Sequence, residues 1–186
     1  MKIAIATSLV VLSLIAAPAT AKEILGMGTP DAQQFRAKAT ASDAFEITSS
    51  KIALTHATNA DVKNFAEMMI EDHTKSTDKL IALGGIKKAS IRAKMKPGRN
   101  GKFVGNTLID SSHAAELNSL DSKSNADFDK TYMDDQVSGH KDALALMQDY
   151  GKSGDNAKLK AFANDVLPTI QTHLSKAQQI QSAIEK

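Results

Sequence analysis

Apolar residues recur at helical spacing over four long stretches of this chain, and no stretch alternates apolar with polar residues at the two-residue period of a strand. The first helix is expected to start at Thr29-Pro30-Asp31. Thr29 is placed to cap it, and Pro30 suits the first turn because its missing N–H has no helical partner there. It runs to about Ala57. The second starts at Thr58-Asn59-Ala60-Asp61, a capping-box-like pattern, and stops at Gly84-Gly85. The third starts near Ser124 and stops at Gly151; the fourth starts near Asp155 and runs almost to the C-terminus. Pro168 lies inside the fourth and is expected to kink it, freeing the carbonyl of Asn164. Between the second and third lie Ile86 to Lys123, with a turn at Pro97-Gly98-Arg99-Asn100-Gly101 and a short helix over about Thr107–Leu120. The pattern predicts an all-α protein, a four-helix bundle with one long connection between the second and third long helices.

The centre of each apolar face carries the informative residues. On the first helix Phe35, Ala39, Phe45, Ile52 and Ala53 set the arc, and Glu46 lies within about 20° of its centre. On the second, Val62, Phe65, Ala66, Met69 and Leu80 set it, with His73 at the centre. His140 and Gln136 fall inside the arc of Phe128, Tyr132, Met133, Val137 and Met147 on the third. His173 falls inside the arc of Leu159, Val166, Ile170 and Ala177 on the fourth. A helix rises 1.5 Å per residue, so Glu46, His73, His140 and His173 stand within about two helical turns of a common height.

A buried, unpaired carboxylate costs several kcal/mol, so Glu46 must be paired, ligated or protonated. Histidine is the commonest metal ligand, and one glutamate with three histidines suits a single Zn, Fe, Mn or Cu ion. Asp72 and Gln136 are the candidates to support such ligands by hydrogen bonds. A metal-free Glu–His hydrogen-bonded network gives the same sequence pattern. His56 and His113 fall near a helix end and in the connector, and read as surface residues.

Composition narrows the choices. The 186 residues carry a formal net charge of +2 and no cysteine, which removes disulfides, thiolate metal sites and cysteine nucleophiles. There is no tryptophan and only 4% aromatic residues, so neither a base-stacking surface nor a nucleic-acid partner is expected. Phosphate loops, the Gly-x-Ser-x-Gly elbow and His-Glu-x-x-His are absent. Met68, Met69, Met133 and Met147 are spread along the helices and read as core filling rather than a copper-binding tract.

The first 21 residues read as an export signal. Lys2 precedes an apolar run that is shorter than the roughly 20 residues of a membrane span, and Ala19-Thr20-Ala21 marks cleavage after Ala21. Lys22–Lys186 then form the bundle, with a periplasmic location expected. The segment 84–109 carries seven basic residues and no acid, among them Lys87, Lys88, Lys94, Lys96, Arg99 and Lys102. Lys87–Lys102 could bind an anionic envelope lipid or polymer, or simply be a solvated connector. Asp127, Asp129, Asp134 and Asp135, near the start of the third helix, read as partners of its dipole.

Four blocks carry a family resemblance: Phe45-Glu46-Ile47 with Lys51–Leu54, Val62–Ala66 with Glu71-Asp72-His73, Phe128–Met133 followed by His140, and Leu159–Ala163 with Leu167–Leu174. Over about residues 31–182 the chain resembles the DUF4142 family of exported bacterial proteins, grouped with ferritin-like folds. The resemblance implies a ferritin-like bundle and no settled reaction. The Glu-x-x-His pairs of di-iron bundles are missing, because Ile70, Val137 and Ile170 stand three residues before the three histidines. Three functions stay open: a metal-handling envelope protein with a single ion at Glu46, His73, His140 and His173, a non-catalytic interaction module whose Glu/His network is structural, or a metal-dependent redox enzyme, which would need the same site with an open coordination position.

Overall fold

The computed structural model describes residues 28–84, 95–97, 101–106 and 108–185. The expected signal segment, and most of the basic stretch Lys87–Lys102, lie outside these residues. Among the described residues, five helices follow in chain order: α1 (Ala32–His56), α2 (Ala60–Ala82), α3 (Ser111–Asp121), α4 (Asn125–Ser153) and α5 (Ala157–Ile184). No strand occurs among the described residues.

The helix ends follow local chemistry, with three differences from the sequence expectation. Asp31, not Thr29, caps α1: its carboxylate accepts from the Gln34 N–H at 2.8 Å, and the Gln34 side chain accepts from the Asp31 N–H. Only Asp31 has the glutamine three residues on that closes the box, so Thr29 and Pro30 stay outside the helix. The short helix α3 starts at Ser111 rather than near Thr107. Asn106 turns the chain by accepting from the Leu108 and Ile109 N–H groups, which drops both side chains into the core before Asp110 caps the helix. Helix α4 continues past Gly151 to Ser153. Gly151 serves packing, not termination, because a Cβ there would strike the Asn164 side chain of α5. Helix α5 runs on through Pro168, and the Arg36 guanidinium of α1 closes the C-terminus of α2 by donating to the Leu80 and Gly84 carbonyls.

Two apolar clusters fill the bundle, one towards each end. The first joins Ile52 and Ala53 of α1 with Val62, Phe65 and Met69 of α2, Leu117 and Leu120 of α3, Phe128, Tyr132 and Met133 of α4, and Ala177 of α5. The second joins Phe35 and Ala39, Leu80, Met147 and Tyr150, and Leu159, Phe162 and Ile170. The order in which each helix meets them fixes its direction. Helices α1 and α5 run from the second cluster to the first, and α2 and α4 run the opposite way. The chain between α2 and α3 therefore returns from one end to the other, which is the long connection expected from sequence. On every long helix, a polar residue separates the two clusters at the same level.

Residues 43–50 of α1 are all buried, because α2, α3 and α4 all pack on this helix. The hydroxyls that this encloses are satisfied locally: Thr48 donates to the Ala44 carbonyl, Ser49 to the Glu46 carbonyl, and Ser50 bonds the Tyr132 hydroxyl at 2.8 Å. Asp129 of α4 is also buried. Its carboxylate accepts from the Thr58 N–H at 3.1 Å, the Thr58 hydroxyl at 2.7 Å and the Asn59 N–H at 2.9 Å, which pins the α1–α2 turn to α4. It is a structural anchor rather than a dipole partner.

Candidate metal centre

The polar level between the clusters brings His73 of α2, His140 of α4 and His173 of α5 together. Their ring centroids form a near-equilateral triangle with sides of 5.6, 5.5 and 5.4 Å, and all three side chains are buried. One nitrogen of each ring is held from outside. His73 Nδ1–H donates to Asp43 at 2.8 Å, His140 Nδ1–H to the Gln136 carbonyl at 2.8 Å, and His173 Nε2–H to Asp72 at 3.1 Å. The remaining nitrogens, His73 Nε2, His140 Nε2 and His173 Nδ1, are buried and have no hydrogen-bond partner. One ring nitrogen of each histidine lies within 4.8 Å of one from each of the others.

The outer acceptors decide the tautomers. Each carboxylate or carbonyl needs the proton on the nitrogen facing it, so in the neutral rings all three lone pairs point inward. Burial, and then the neighbouring His73, hold His173 down at about 4. Burial also lowers His140. For His73, burial acts downward but is outweighed by the hydrogen bond and charge of Asp43, with Glu46 and Asp72 adding, and the net shift is upward.

Three of the four residues expected at this site meet there. Glu46 is buried at the same level, but its Oε2 accepts from Gln136 Nε2 at 2.6 Å, and its Oε1 stands 3.8 Å from His140 Nδ1, the nitrogen that faces outward. Space for this carboxylate comes from Gly139, where a Cβ would lie 3.0 Å from Oε1. Asp72 and Gln136 do hold two of the histidines by hydrogen bonds, Gln136 through its backbone carbonyl. Asp43 was missed by sequence reading although it is the strongest of the supports, bonded to both His73 and the Thr77 hydroxyl. The signal for it was its position three residues before Glu46, on the same face of α1. Among the described residues, His56 and His113 stay outside the cluster and half-buried. Met69, Met133 and Met147 are buried in the apolar clusters, and Met68 is half-buried against the first of them.

The profile of the family described as a domain of unknown function, DUF4142, matches residues 17–180. The chain belongs to the DUF4142 family. No curated protein and no solved structure matches it. What this DUF4142 domain does must therefore come from its own chemistry.

Asp43→Asn keeps an acceptor for His73 but removes the charge, and is expected to weaken metal binding about 10–100-fold, as loss of an outer partner does at other metal sites. Competition against a chromogenic chelator measures this, and an unchanged affinity would show that Asp43 does not orient the ring.

Outside the triad, a groove of about 940 Å³ runs along α1, α3 and α4 and is lined by Glu46, Glu116, Asp135 and Asp142 among others. Burial, and then the charges of Glu116, Asp134 and Glu46, push Asp135 up to about 6. A carboxyl raised in this way stabilises the fold when protonated. That contribution is complete below its unfolded value near 3.8 and is lost as pH rises through 6. Asp135→Asn is therefore expected to stabilise the fold at pH 7.5 by on the order of 1 kcal/mol after solvent screening, read as a higher melting temperature. The gain should shrink as pH falls through 6, and a constant gain would contradict the assignment.

Proposed function

We propose that this DUF4142 domain is an exported envelope protein that holds one transition-metal ion on His73, His140 and His173. The observation that carries the reading is a triangle of three buried imidazoles, each tethered through one ring nitrogen and with the other left without a partner. A buried polar atom left without a partner costs about 1–3 kcal/mol, and native cores rarely carry several at one point. A single ion would satisfy all three at once, with bonds of about 2.0 Å after small ring rotations. A purely structural network would instead bond these nitrogens to each other or to neighbouring side chains.

The donor set also favours particular metals. Three imidazoles without a carboxylate at the focus suit zinc, copper or iron better than manganese. The outer Asp43, Asp72 and Gln136 carbonyl fix the rings in the manner of supporting groups at known metal sites. The expected export signal supports a periplasmic location, and metal handling in the envelope is the role that such a site and such a location together suggest.

Metal content tests the reading. Protein purified from periplasm without a tag or chelator is expected to carry close to one equivalent of a single metal, or to bind one equivalent of Zn(II) or Cu(II) when added. Protein that binds neither, with an unchanged melting curve in their presence, would remove the metal function.

A further inference from the structure

The four long helices pair as two antiparallel hairpins. Helix α1 packs chiefly on α2, and α4 chiefly on α5, each pair joined by a short turn. The seams between the hairpins, α1 against α4 and α2 against α5, are much smaller interfaces. The triad straddles this division: His73 belongs to the first hairpin, and His140 and His173 to the second. Two of the three tethers stay within one hairpin, Asp43 of α1 on His73 and the Gln136 carbonyl on His140. Only the bond between Asp72 and His173 crosses from one hairpin to the other. The three partnerless nitrogens are sealed from solvent at the level between the two apolar clusters, so an ion reaches them only when this packing opens.

Of the two seams, α2–α5 is the smaller and the less well filled. A void of about 130 Å³ lies beside His73 and His173, and its exposed lining residues, Lys75, Lys79, Asp165 and Thr169, all belong to α2 and α5. Unfilled space forfeits dispersion contacts, so the helices are held less firmly here than within each hairpin. Across the seam Lys79 Nζ meets Asp165 Oδ2 at 2.6 Å, but the pair is exposed and of the kind that adds little stability. Pro168 removes one backbone hydrogen bond from α5 just over a turn before His173. We propose that the two hairpins part along the α2–α5 seam to take up and release the metal, and that the bound ion locks this seam shut. The inference rests on the metal reading above and adds how the site is loaded and what the ion does to the fold. An ion bonded to one ring of the first hairpin and two of the second joins the hairpins where their own contacts are sparse. Loading therefore closes the bundle, and exchange waits on a local opening of it.

Zn(II)-loaded mature protein mixed with excess chromogenic chelator is expected to release its ion at a rate that does not change with chelator concentration, because opening and not attack limits it. Lys79→Cys with Asp165→Cys, both at exposed positions, places two thiols across the seam in a chain that has no cysteine of its own. Joining them with a short bis-maleimide is expected to slow release and uptake about 10-fold or more, whereas the same variant with each thiol capped singly exchanges as the wild type does. Release in proportion to chelator concentration overturns the gating, since chelator then reaches the ion in the closed fold, and leaves the metal site standing. Release independent of chelator but equally fast with the seam joined overturns the α2–α5 seam as the route. Failure to bind Zn(II) at all overturns the metal reading, and this proposal with it.

Discussion

His140→Leu is expected to weaken the proposed metal binding about a hundredfold or more and at the same time to make the metal-free protein more stable. The two effects have one cause. His140 is 1% exposed, and its Nε2 has no partner in the fold. Leucine has a comparable volume and no polar atom to strand, so the substitution is expected to return roughly 1–2 kcal/mol to the metal-free state. Nothing else loses a partner, because the Gln136 carbonyl that accepts from His140 Nδ1 also accepts the helical N–H four residues on. On the metal side, four-ligand zinc sites in small peptides are worth about 10–16 kcal/mol, a share of roughly 3 kcal/mol per ligand. Removing one imidazole of three should therefore weaken binding about a hundredfold or more. Urea unfolding with chelator, and again with excess Zn(II), reads both effects. The wild type should gain several kcal/mol from the metal and the variant almost none. If the metal-free variant were instead destabilised by more than about 2 kcal/mol, the histidines would be structural, and the interaction-module alternative would regain its footing.

The largest loss of stability is expected at Asp129, at the far end of the molecule from the second apolar cluster. Its side chain satisfies the Thr58 N–H, the Thr58 hydroxyl and the Asn59 N–H in a buried position. Asp129→Ala strands these donors at the turn that joins α1 to α2 and frees that turn from α4. Thr58 is exposed and Asn59 half-buried, so water replaces part of the lost bonds, and a loss of about 2 kcal/mol is expected. The urea midpoint should fall with an unchanged slope. Lys130→Ala, one residue on, is the control. Its ammonium pairs with Asp134 and Glu185 on the surface, where such pairs contribute under about 1 kcal/mol. Equal losses in the two variants would mean that Asp129 is not the anchor.

These residues also show where sequence reading reaches its limit. The wheel placed His73, His140 and His173 inward because each helix has one strongly apolar face, and that face has one place to go. The same reasoning misjudged Asp129, whose position in the first turns of α4 is as well explained by the helix dipole as by burial. It passed over Asp43 because α1 has no single buried face: with helices packed around residues 43–50, polar positions beside the arc are enclosed as completely as those at its centre. Glu46 lay at the centre of the predicted arc and is indeed buried, but a wheel gives direction and not reach. Gln136 and the gap at Gly139 draw its carboxylate to the outer side of His140.

Local patterning alone determined the helical class, the number of long helices, the approximate caps, the long connection and the inward histidines. These depend on spacing and on side-chain chemistry within a few turns, which a single chain segment contains. Tertiary structure decided which nitrogen of each imidazole is tethered and which is left free, that Asp43 backs His73, and that Glu46 turns to Gln136 instead of joining the triad. Those features arise where helices distant in sequence meet at one height and one rotation, and the balance of packing that sets height and rotation is not written in any one of them.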